Sequence, residues 1–287
     1  MASEGVIVWL SEQRVDGRIV ARVGRKGDQL VAELGETGSL LVDSISGDAC
    51  FQRNPNLAPA SIDKLVVSKV DALTRNFRGK LTLHGAAVCV RQSAVVLVGA
   101  SGAGKSTLTA ALCAAADIAL VADDTVSVEI PKEAGRPAEV LPTQDVAWLF
   151  PSALAALGLC CDLTVGFGRS GKVAVPLRSS RHVGLPVLAV VNLVFDPNVT
   201  KPTLERLRGQ AAFSVLAQQA IRLVIDKPDA QMHEFQQFRN LIGSCQVHRL
   251  TRRRDFNDLG YAVDVIGRLV ADSEPLERKG GADDIRV

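Results

Sequence analysis

A glycine-rich segment that ends in lysine, serine and threonine has the residue types needed to bind phosphate. It reads Gly-Ala-Ser-Gly-Ala-Gly-Lys-Ser-Thr and fits the pattern G-x-x-x-x-G-K-[ST] between an apolar strand and an Ala/Leu-rich helix. Glycines let successive N–H groups point inward, and the positive end of the following helix also attracts phosphate. The expected nucleotide-binding residues are Gly99, Ala100, Ser101, Gly102, Ala103, Gly104, Lys105, Ser106 and Thr107. Lys105 is predicted to reach the β- and γ-phosphates of ATP, and the Ser106 hydroxyl to ligate Mg²⁺.

Two adjacent carboxylates, Asp123 and Asp124, follow the next apolar strand. This is the place where an acid holds Mg²⁺ in many phosphate-loop proteins. Consecutive strand residues point to opposite faces, so the two side chains can converge on one ligand only if the strand breaks there. Different roles are therefore expected: one carboxylate ligates Mg²⁺ and the other accepts the proton of an attacking hydroxyl. The alternative is a solvated turn between two strands.

His84 lies on a predicted strand just before the phosphate loop, in the setting Leu-His-Gly-Ala. If that strand pairs with the strand that enters the loop, the imidazole could approach Asp123, orient its carboxylate and hold charge near the γ-phosphate. Taken alone, a histidine among apolar residues also fits a satisfied core position.

Other classes of phosphate-loop protein lack support in the sequence. There is no Leu-Ser-Gly-Gly-Gln signature of a transporter ATPase and no Asn-Lys-x-Asp motif that reads guanine. The net charge of +2 provides no general field for nucleic acid. We therefore expect neither a nucleic-acid partner nor a transporter.

The elements that must position these residues follow from the apolar pattern. We predict strands at 81–90, 93–100, 118–124 and 125–130, with a helix from Lys105 to Ala116, as a βαβ core. A loop-rich span with one helix near 152–159 is expected over 131–180. The remainder is predicted as a strand at 185–195, helices at 213–223 and 230–242, a strand at 246–250 and a final helix at 256–270.

The first 75 residues alternate short apolar runs with glycine-containing turns, which predicts strands or short helices in a small α+β cap. A helix at 62–77 should connect it to the core. We expect a small domain over 1–75, a catalytic domain over 76–273 and a frayed tail over 274–287.

The chain is also expected to be cytoplasmic and to have no membrane partner. Its start carries an early glutamate and neither a basic leader nor a long apolar segment. The longest apolar stretch, 185–195, is interrupted by Asn192 and is too short to cross a bilayer. Whether the chain forms a homo-oligomer stays open.

Three blocks taken together resemble the catalytic domain of HPr kinase/phosphorylase and its relatives. They are Leu-His-Gly-Ala-Ala-Val, Gly-Ala-Ser-Gly-Ala-Gly-Lys-Ser-Thr and Leu-Val-Ala-Asp-Asp-Thr-Val, within residues 79–130. The resemblance implies a phosphate-loop core with a mixed sheet, similar to that of phosphoenolpyruvate carboxykinase. It also implies an ATP- and Mg²⁺-dependent kinase that phosphorylates a seryl hydroxyl, with Asp123 as base, His84 supporting it, Lys105 on the phosphates, and Ser106 and Asp124 on the metal.

The chain departs from this family after the aspartate pair. The glycine-rich signature that carries a further acidic metal ligand is missing, and residues 139–159 take its place. The resemblance therefore does not extend to phosphorolysis or to HPr as substrate. The chain looks more like shorter HPr-kinase-related proteins encoded with peptide-modifying enzymes, including kinases of the C-terminal serine of lasso peptide precursors.

Two groups of cations remain. Lys172, Arg169 and Arg178 could reach a transferring phosphoryl group or a peptide carboxylate, but the favoured interpretation is that they are solvated loop charges. Among them Lys172, in the block Lys-Val-Ala-Val-Pro-Leu, is our first choice for a substrate or phosphate contact. The arginines at 249 and 252–254 could guide an acidic substrate, but without interleaved aromatics they are predicted to form an exposed charged turn.

The acceptor is expected to be a serine of a peptide or small protein, and two alternatives stay open. One is a kinase of small-molecule hydroxyls built on the same core. The other is a catalytically silent nucleotide-sensing module that binds a partner through its first 75 residues.

Overall fold

Two main β-sheets organise this mixed α/β protein, whose structure is a computed structural model. The structure describes residues 6–15, 17–35, 37–43, 45–56, 70–71, 73–115, 117–131, 136–143, 145–159, 171–180, 182, 184–222 and 228–273. One sheet has five strands and the other has eight, with parallel and antiparallel neighbours in the larger one. The predicted α/β class with a mixed sheet is confirmed.

The smaller sheet is an antiparallel meander near the start of the chain, with its strands in sequence order. Its strands are β1 (Val8–Val15), β2 (Arg18–Lys26), β3 (Gln29–Glu33), β4 (Gly38–Asp43) and β5 (Ala49–Arg53). Glycines at the β1–β2 and β2–β3 turns have positive φ, where a Cβ would be strained. Its apolar face packs on a helical segment through Leu73 and Phe77.

Most of the described part of residues 1–75 thus forms a β-sheet, where strands or short helices were expected. Of the predicted helix at 62–77, residues 70–71 and 73–77 are helical, and the rest lies outside the described residues. The tail at 274–287 also lies outside them. The domain boundaries stay a prediction.

The larger sheet carries the predicted phosphate loop. Its order is β10-β9-β6-β7-β13-β15-β14, with β8 also paired to β6. Its strands are β6 (Leu81–Val90), β7 (Ser93–Val98), β8 (Ile118–Ala122), β9 (Thr125–Glu129), β10 (Glu139–Val140), β13 (Leu185–Phe195), β14 (Thr203–Leu207) and β15 (Gln246–Arg252). Because β7, β13 and β15 run parallel, their carboxyl ends gather at one edge of the sheet.

Helices cover both faces of this sheet, which explains why β7 is apolar at almost every position. Val96 and Val98 face a core shared with two helices, whereas Val95 and Leu97 face a core shared with two others. The helices are α1 (Lys105–Ala114), α2 (Pro151–Leu157), α3 (Gly209–Gln219), α4 (Pro228–Ser244) and α5 (Leu259–Ala271). The first core contains residues of α3 and α4, and the second contains residues of α1 and α5. Within the described part of the chain, no helix is long and apolar enough to cross a membrane.

β8 and β9 lie end to end along one edge of β6, as a single strand that is interrupted once. Ala122 at the end of β8 pairs with Ala87, and Thr125 at the start of β9 pairs with His84. The two residues between them are Asp123 and Asp124. The aspartate pair is therefore a break in a strand, and not the tip of a hairpin.

The described parts of 131–180 contain more regular structure than the many prolines and glycines of this span predicted. Besides β10, it contains a small antiparallel pair, β11 (Val146–Leu149) and β12 (Val173–Pro176), and the helix α2. Leu149, Val173 and Val175 form an apolar cluster with α2 and with Ala110 of α1. Burial on α1 stabilises these strands despite the weak local signal. Residues 132–135, 144 and 160–170 lie outside the described residues.

The other predicted elements of the core are present with small shifts of their ends. The helix predicted over 105–116 ends at Ala114, and the strand predicted at 246–250 continues to Arg252. The final helix is preceded by a short 3₁₀ turn, Phe256–Asp258. Strand β14 was not predicted, because its polar sequence Thr-Leu-Glu-Arg-Leu lacks a buried apolar run.

Candidate active site

The phosphate-loop segment connects β7 to α1 and curls as its glycines allow. Gly99, Gly102 and Gly104 have φ of 143°, 80° and 82°, conformations that L side chains rarely adopt. A Cβ at Gly99 would lie only 2.7 Å from the backbone oxygen of Leu193 on β13. Ala100, Ser101 and Gly102 are exposed at the tip, whereas Ala103 is buried. The loop is therefore open to solvent on one side and packed against the sheet on the other.

The amino end of α1 has the features of an anion site. The helix begins at Lys105 after Gly104, with no side-chain cap and no acidic residue in its first turn. The first turn thus supplies no acidic side chain of its own to neutralise the helix dipole. Ser106 and Thr107, both half-buried, occupy this first turn.

Lys105 lies inside the loop and is 8% exposed. Its Nζ donates hydrogen bonds to the carbonyl oxygens of Gly99, at 2.7 Å, and Ala100, at 3.1 Å. Burial lowers the pKa of Lys105, whereas the charges of Asp124 and Asp123 raise it. The ammonium group is thus held inside the loop, with loop carbonyls as its partners.

Asp123 is almost fully buried, at 1% exposure, and is joined to the first turn of α1. Its Oδ1 accepts a hydrogen bond from Ser106 Oγ at 2.9 Å, and its Oδ2 accepts one from the backbone N–H of Trp148 at 2.9 Å. Burial raises the pKa of Asp123, and these two hydrogen bonds oppose the rise. The carboxylate is thereby fixed against the residue expected to ligate Mg²⁺.

Asp124 has a different environment, as the break in the strand requires. It adopts a left-handed conformation with φ of 71°, and its side chain is 39% exposed. Residues held in this region often mark functional sites, and aspartate tolerates it better than most side chains do. The turn brings its carboxylate to the solvent side while Asp123 points inward.

The partner that His84 contacts is Asp124, whereas the sequence led us to expect Asp123. His84 Nδ1 lies 3.0 Å from the backbone oxygen of Asp124 and 3.8 Å from its Oδ1. The interrupted strand explains this contact. The backbone turn at Asp124 brings its backbone oxygen and its Oδ1 toward the imidazole. The contact assigns the proton of the neutral ring to Nδ1 and leaves Nε2 as an acceptor. Burial, and then the charge of Lys105, lower the pKa of His84, so the neutral form is favoured.

Lys172 stands at the start of β12, near these groups. Its charge contributes to the lowered pKa of both His84 and Lys105. Its Nζ also lies 5.4 Å from the centre of the Phe150 ring. The small β11–β12 pair thus brings Lys172 and the Trp148 N–H to the site from outside the main sheet. Arg178 is exposed, and Arg169 lies outside the described residues.

Sequence reasoning missed three contributors to this region. The Trp148 contact uses only a backbone N–H, so no residue type could have revealed it. Arg252 was predicted in an exposed charged turn, but it is the last residue of β15 and is only 4% exposed. Its guanidinium carbon lies 4.6 Å from the ring centre of Phe195, the last residue of β13. The available signal in the sequence was the position of Arg252 two residues after Leu250, which puts both on one face of a strand.

The residues present fit a magnesium ion that also binds the nucleotide. Mg²⁺ at such sites takes one or two carboxylates, with phosphate oxygens and waters completing its shell. Ser106 and Asp123 offer adjacent oxygens at the amino end of α1. In the described residues, no group of three or more His, Cys, Asp or Glu could hold a metal ion by itself. The ion would therefore depend on bound phosphates for its affinity.

Comparisons with known proteins give a distant structural likeness. No protein-family model matches the chain, and no curated protein matches it. Among solved structures, the chain is similar to the HPr(Ser) kinase/phosphatase from Coxiella burnetii, with 13% identity and a TM-score of 0.35. The match covers 67% of this chain and 99% of the other. A likeness this distant assigns no role to any residue.

Proposed function

We propose that the protein is an ATP- and Mg²⁺-dependent kinase that transfers the γ-phosphoryl group to a serine hydroxyl of a peptide or small protein. The observation that carries this proposal is the meeting of three segments at one sheet edge. The phosphate loop with Lys105, the buried Asp123 bound to Ser106, and the exposed Asp124 beside His84 come from different parts of the chain.

Phosphate binding is assigned to the loop amides and Lys105. The amides of the loop and of the first turn of α1 hold the phosphate oxygens. Lys105 exchanges the carbonyl oxygens of Gly99 and Ala100 for those of the β- and γ-phosphates. Since the ammonium group already lies inside the loop, only a short movement is needed.

The metal-binding role is assigned to Ser106 and Asp123, the reverse of the aspartate order expected from the sequence. Both Asp123 oxygens accept hydrogen bonds, from Ser106 and Trp148, and the side chain is buried. A bulky acceptor hydroxyl could not approach it there. When bound, Mg²⁺ would neutralise the charge that develops on the phosphates.

The role of base is assigned to Asp124. The acceptor oxygen attacks the γ-phosphorus and forms the new P–O bond, while the bond from that phosphorus to the β–γ bridging oxygen breaks. The bridging oxygen keeps the electron pair, so ADP leaves, and the proton of the hydroxyl goes to the Asp124 carboxylate. His84 supports this carboxylate by holding the Asp124 backbone, and its neutral ring adds no charge next to Lys105.

The choice of a seryl acceptor depends on the resemblance of the three sequence blocks to HPr kinase-like proteins. Asp124 and Lys172 supply the polar groups that an acceptor would meet at the open side of the site. A lasso-type precursor peptide with a C-terminal serine is the specific candidate within this class.

The test is a transfer assay with ATP labelled at the γ-phosphate. Purified protein would be offered serine-containing peptides, including ones with a C-terminal serine, and in parallel a panel of sugars and free amino acids. We expect label on peptide serine that requires Mg²⁺ and is lost in Lys105→Met and Asp124→Asn. If only sugars become labelled, the acceptor is a small-molecule hydroxyl and not a peptide serine. Tight ATP binding without transfer to any acceptor in the panel or in cell extract would refute the kinase proposal.

A further inference from the structure

Arg252 differs from the other arginines around it. Arg253 makes a two-pronged ion pair with Asp258, at 2.9 and 3.1 Å, and Arg249 pairs with Glu205 at 3.3 Å. Both of those pairs involve partly exposed guanidinium groups. Arg252, by contrast, is a buried cation with only 4% of its surface exposed.

The polar contacts of Arg252 leave part of its guanidinium group unused. Its Nη1 donates a 3.3 Å hydrogen bond to the backbone oxygen of Arg253. Its Nε is buried and has no hydrogen-bond partner among the described residues. Burial lowers the pKa of Arg252, whereas the charge of Asp258 raises it. Asp258 is itself hydrogen-bonded to Arg253. A buried cation of this kind is costly unless an anion joins it.

The guanidinium lies directly against the phosphate loop. A Cβ added to Gly104 would be 2.5 Å from Arg252 Nη2 and 3.5 Å from Phe195 Cζ. Gly104 is the residue that precedes Lys105 and the first turn of α1. The strand register explains the approach, because Phe195 pairs with Arg252 while Asn192 pairs with Val98 at the start of the loop.

Phe195 fixes the position of Arg252. The guanidinium carbon lies 4.6 Å from its ring centre, within the range of a cation–π contact. Glycine at position 104 is then needed for two reasons, its φ of 82° and the room that the guanidinium occupies. The cation therefore lies beside the residue that precedes the first turn of α1.

We propose that Arg252 is a second cation of the phosphate site and donates to the phosphate chain of the bound nucleotide. Lys105 and Arg252 then approach the phosphates from different segments, one from the loop and the other from β15. The inference depends on the proposed function only in that the loop binds a polyphosphate, and it does not require transfer to any acceptor.

Calorimetric titration of the full-length chain tests this inference, with ATP and inorganic tripolyphosphate as ligands. Arg252→Met keeps the length and apolar stem that pack on Phe195 but removes the charge. We expect it to weaken binding of both ligands by about 10- to 100-fold, the loss of one hydrogen bond to a charged group. Arg252→Lys should weaken binding less, because it keeps the charge and loses the planar donors.

Arg254→Met is the matched control, because Arg254 is exposed and lies 5.8 Å from the same ring. It should bind both ligands within about 3-fold of the wild type, since surface charge alone contributes little. Thermal unfolding without ligand checks the fold of each variant. If Arg252→Met fails to fold, Arg252→Gln, which also removes the charge, decides the matter, and wild-type affinity for both ligands in that variant overturns the inference.

The outcomes separate the two proposals. Tripolyphosphate binding that is unchanged in Arg252→Met overturns the role of Arg252, and so does a loss confined to ATP, which would point to the base or ribose. Dependence on Arg252 without any phosphoryl transfer supports the role and refutes the kinase. A wild-type protein that binds neither ligand overturns both.

Discussion

Ser106 and Asp123 are joined by a hydrogen bond of 2.9 Å that links the first turn of α1 to the end of β8. The serine is half-buried and the aspartate is 1% exposed. This bond ties the phosphate loop to the interrupted strand, so displacement of one affects the other. It also defines which of the two aspartates faces the interior.

Replacing Asp123 by asparagine should stabilise the ligand-free protein at neutral pH. Burial raises the folded pKa of this carboxyl above its unfolded value. The protonated Asp123 carboxyl therefore contributes to folding stability below its unfolded pKa, and this contribution is lost as the pH rises through its folded pKa. Asparagine avoids the buried charge and can still accept from Trp148 and donate to Ser106.

Thermal unfolding in a chelating buffer between pH 5 and 8 measures this effect. The melting temperature of Asp123→Asn should exceed that of the wild type, by about 2–4 °C for each kcal/mol of added stability. The difference should increase with pH until the pH passes the folded pKa of Asp123 and stay constant above it. A variant that is less stable than the wild type at every pH would contradict the burial argument.

Replacing Asp124 by asparagine should remove catalysis and leave nucleotide binding nearly unchanged. We expect kcat to fall by roughly 10²- to 10⁴-fold, the usual contribution of a general base, with the Kd of ATP within about 3-fold. Asp117→Asn is a matched control, because Asp117 also has positive φ, 64° against 71° for Asp124, and lies exposed before β8. Full activity of Asp124→Asn would return the base to Asp123.

Replacing Lys105 by methionine should abolish nucleotide-induced stabilisation. The Lys105 Nζ donates hydrogen bonds to the backbone oxygens of Gly99 and Ala100. We expect it to donate to the phosphate oxygens when the nucleotide binds. We expect the shift in melting temperature that saturating ATP produces in the wild type to disappear, because stabilisation follows binding to the folded state. An equal shift in the variant would place the phosphates elsewhere.

Alanine at Gly99 and at Gly102 should have unequal effects on stability. A Cβ at Gly99 meets the Leu193 backbone at 2.7 Å, whereas a Cβ at Gly102 has nothing within 4 Å. Gly102→Ala introduces only the strain of a side chain at positive φ, so its free energy of unfolding should fall by about 1–2 kcal/mol. Gly99→Ala also introduces overpacking, so its free energy of unfolding should fall by roughly 3 kcal/mol or more. Urea unfolding compares them, and equal losses would contradict the packing at Gly99.

The sequence predicted the elements around the phosphate loop well because two strong signals coincided there. Continuous apolar runs at β7 and β13 indicate strands buried on both faces, and the glycine pattern at 99–104 fixes the turn between strand and helix. The pairing of β6 with β7 could be suspected from the tight turn at Arg91 and Gln92, both of which have positive φ.

The arrangement inside the site could not be predicted in the same way. Which aspartate faces inward depends on a single left-handed residue, Asp124, and the period-2 pattern carries no sign of it. Arg252 is buried by its contact with Phe195, a residue far from it in sequence. The strands β11 and β12 form because α1 and α2 cover them, which local propensity does not reveal.

The strand that carries His84 has neighbours along both edges: β9 and β8 follow one edge, while β7 follows the other from Gly85 onward and Leu83 forms a bridge with Ala220 just before it. Among the described residues, little backbone of this strand is left beside the imidazole for pairing with another chain. Under the proposed function, an acceptor would therefore present its hydroxyl over the rim of the sheet, which favours a serine at a chain end or at a sharp bend over one in the middle of an extended segment.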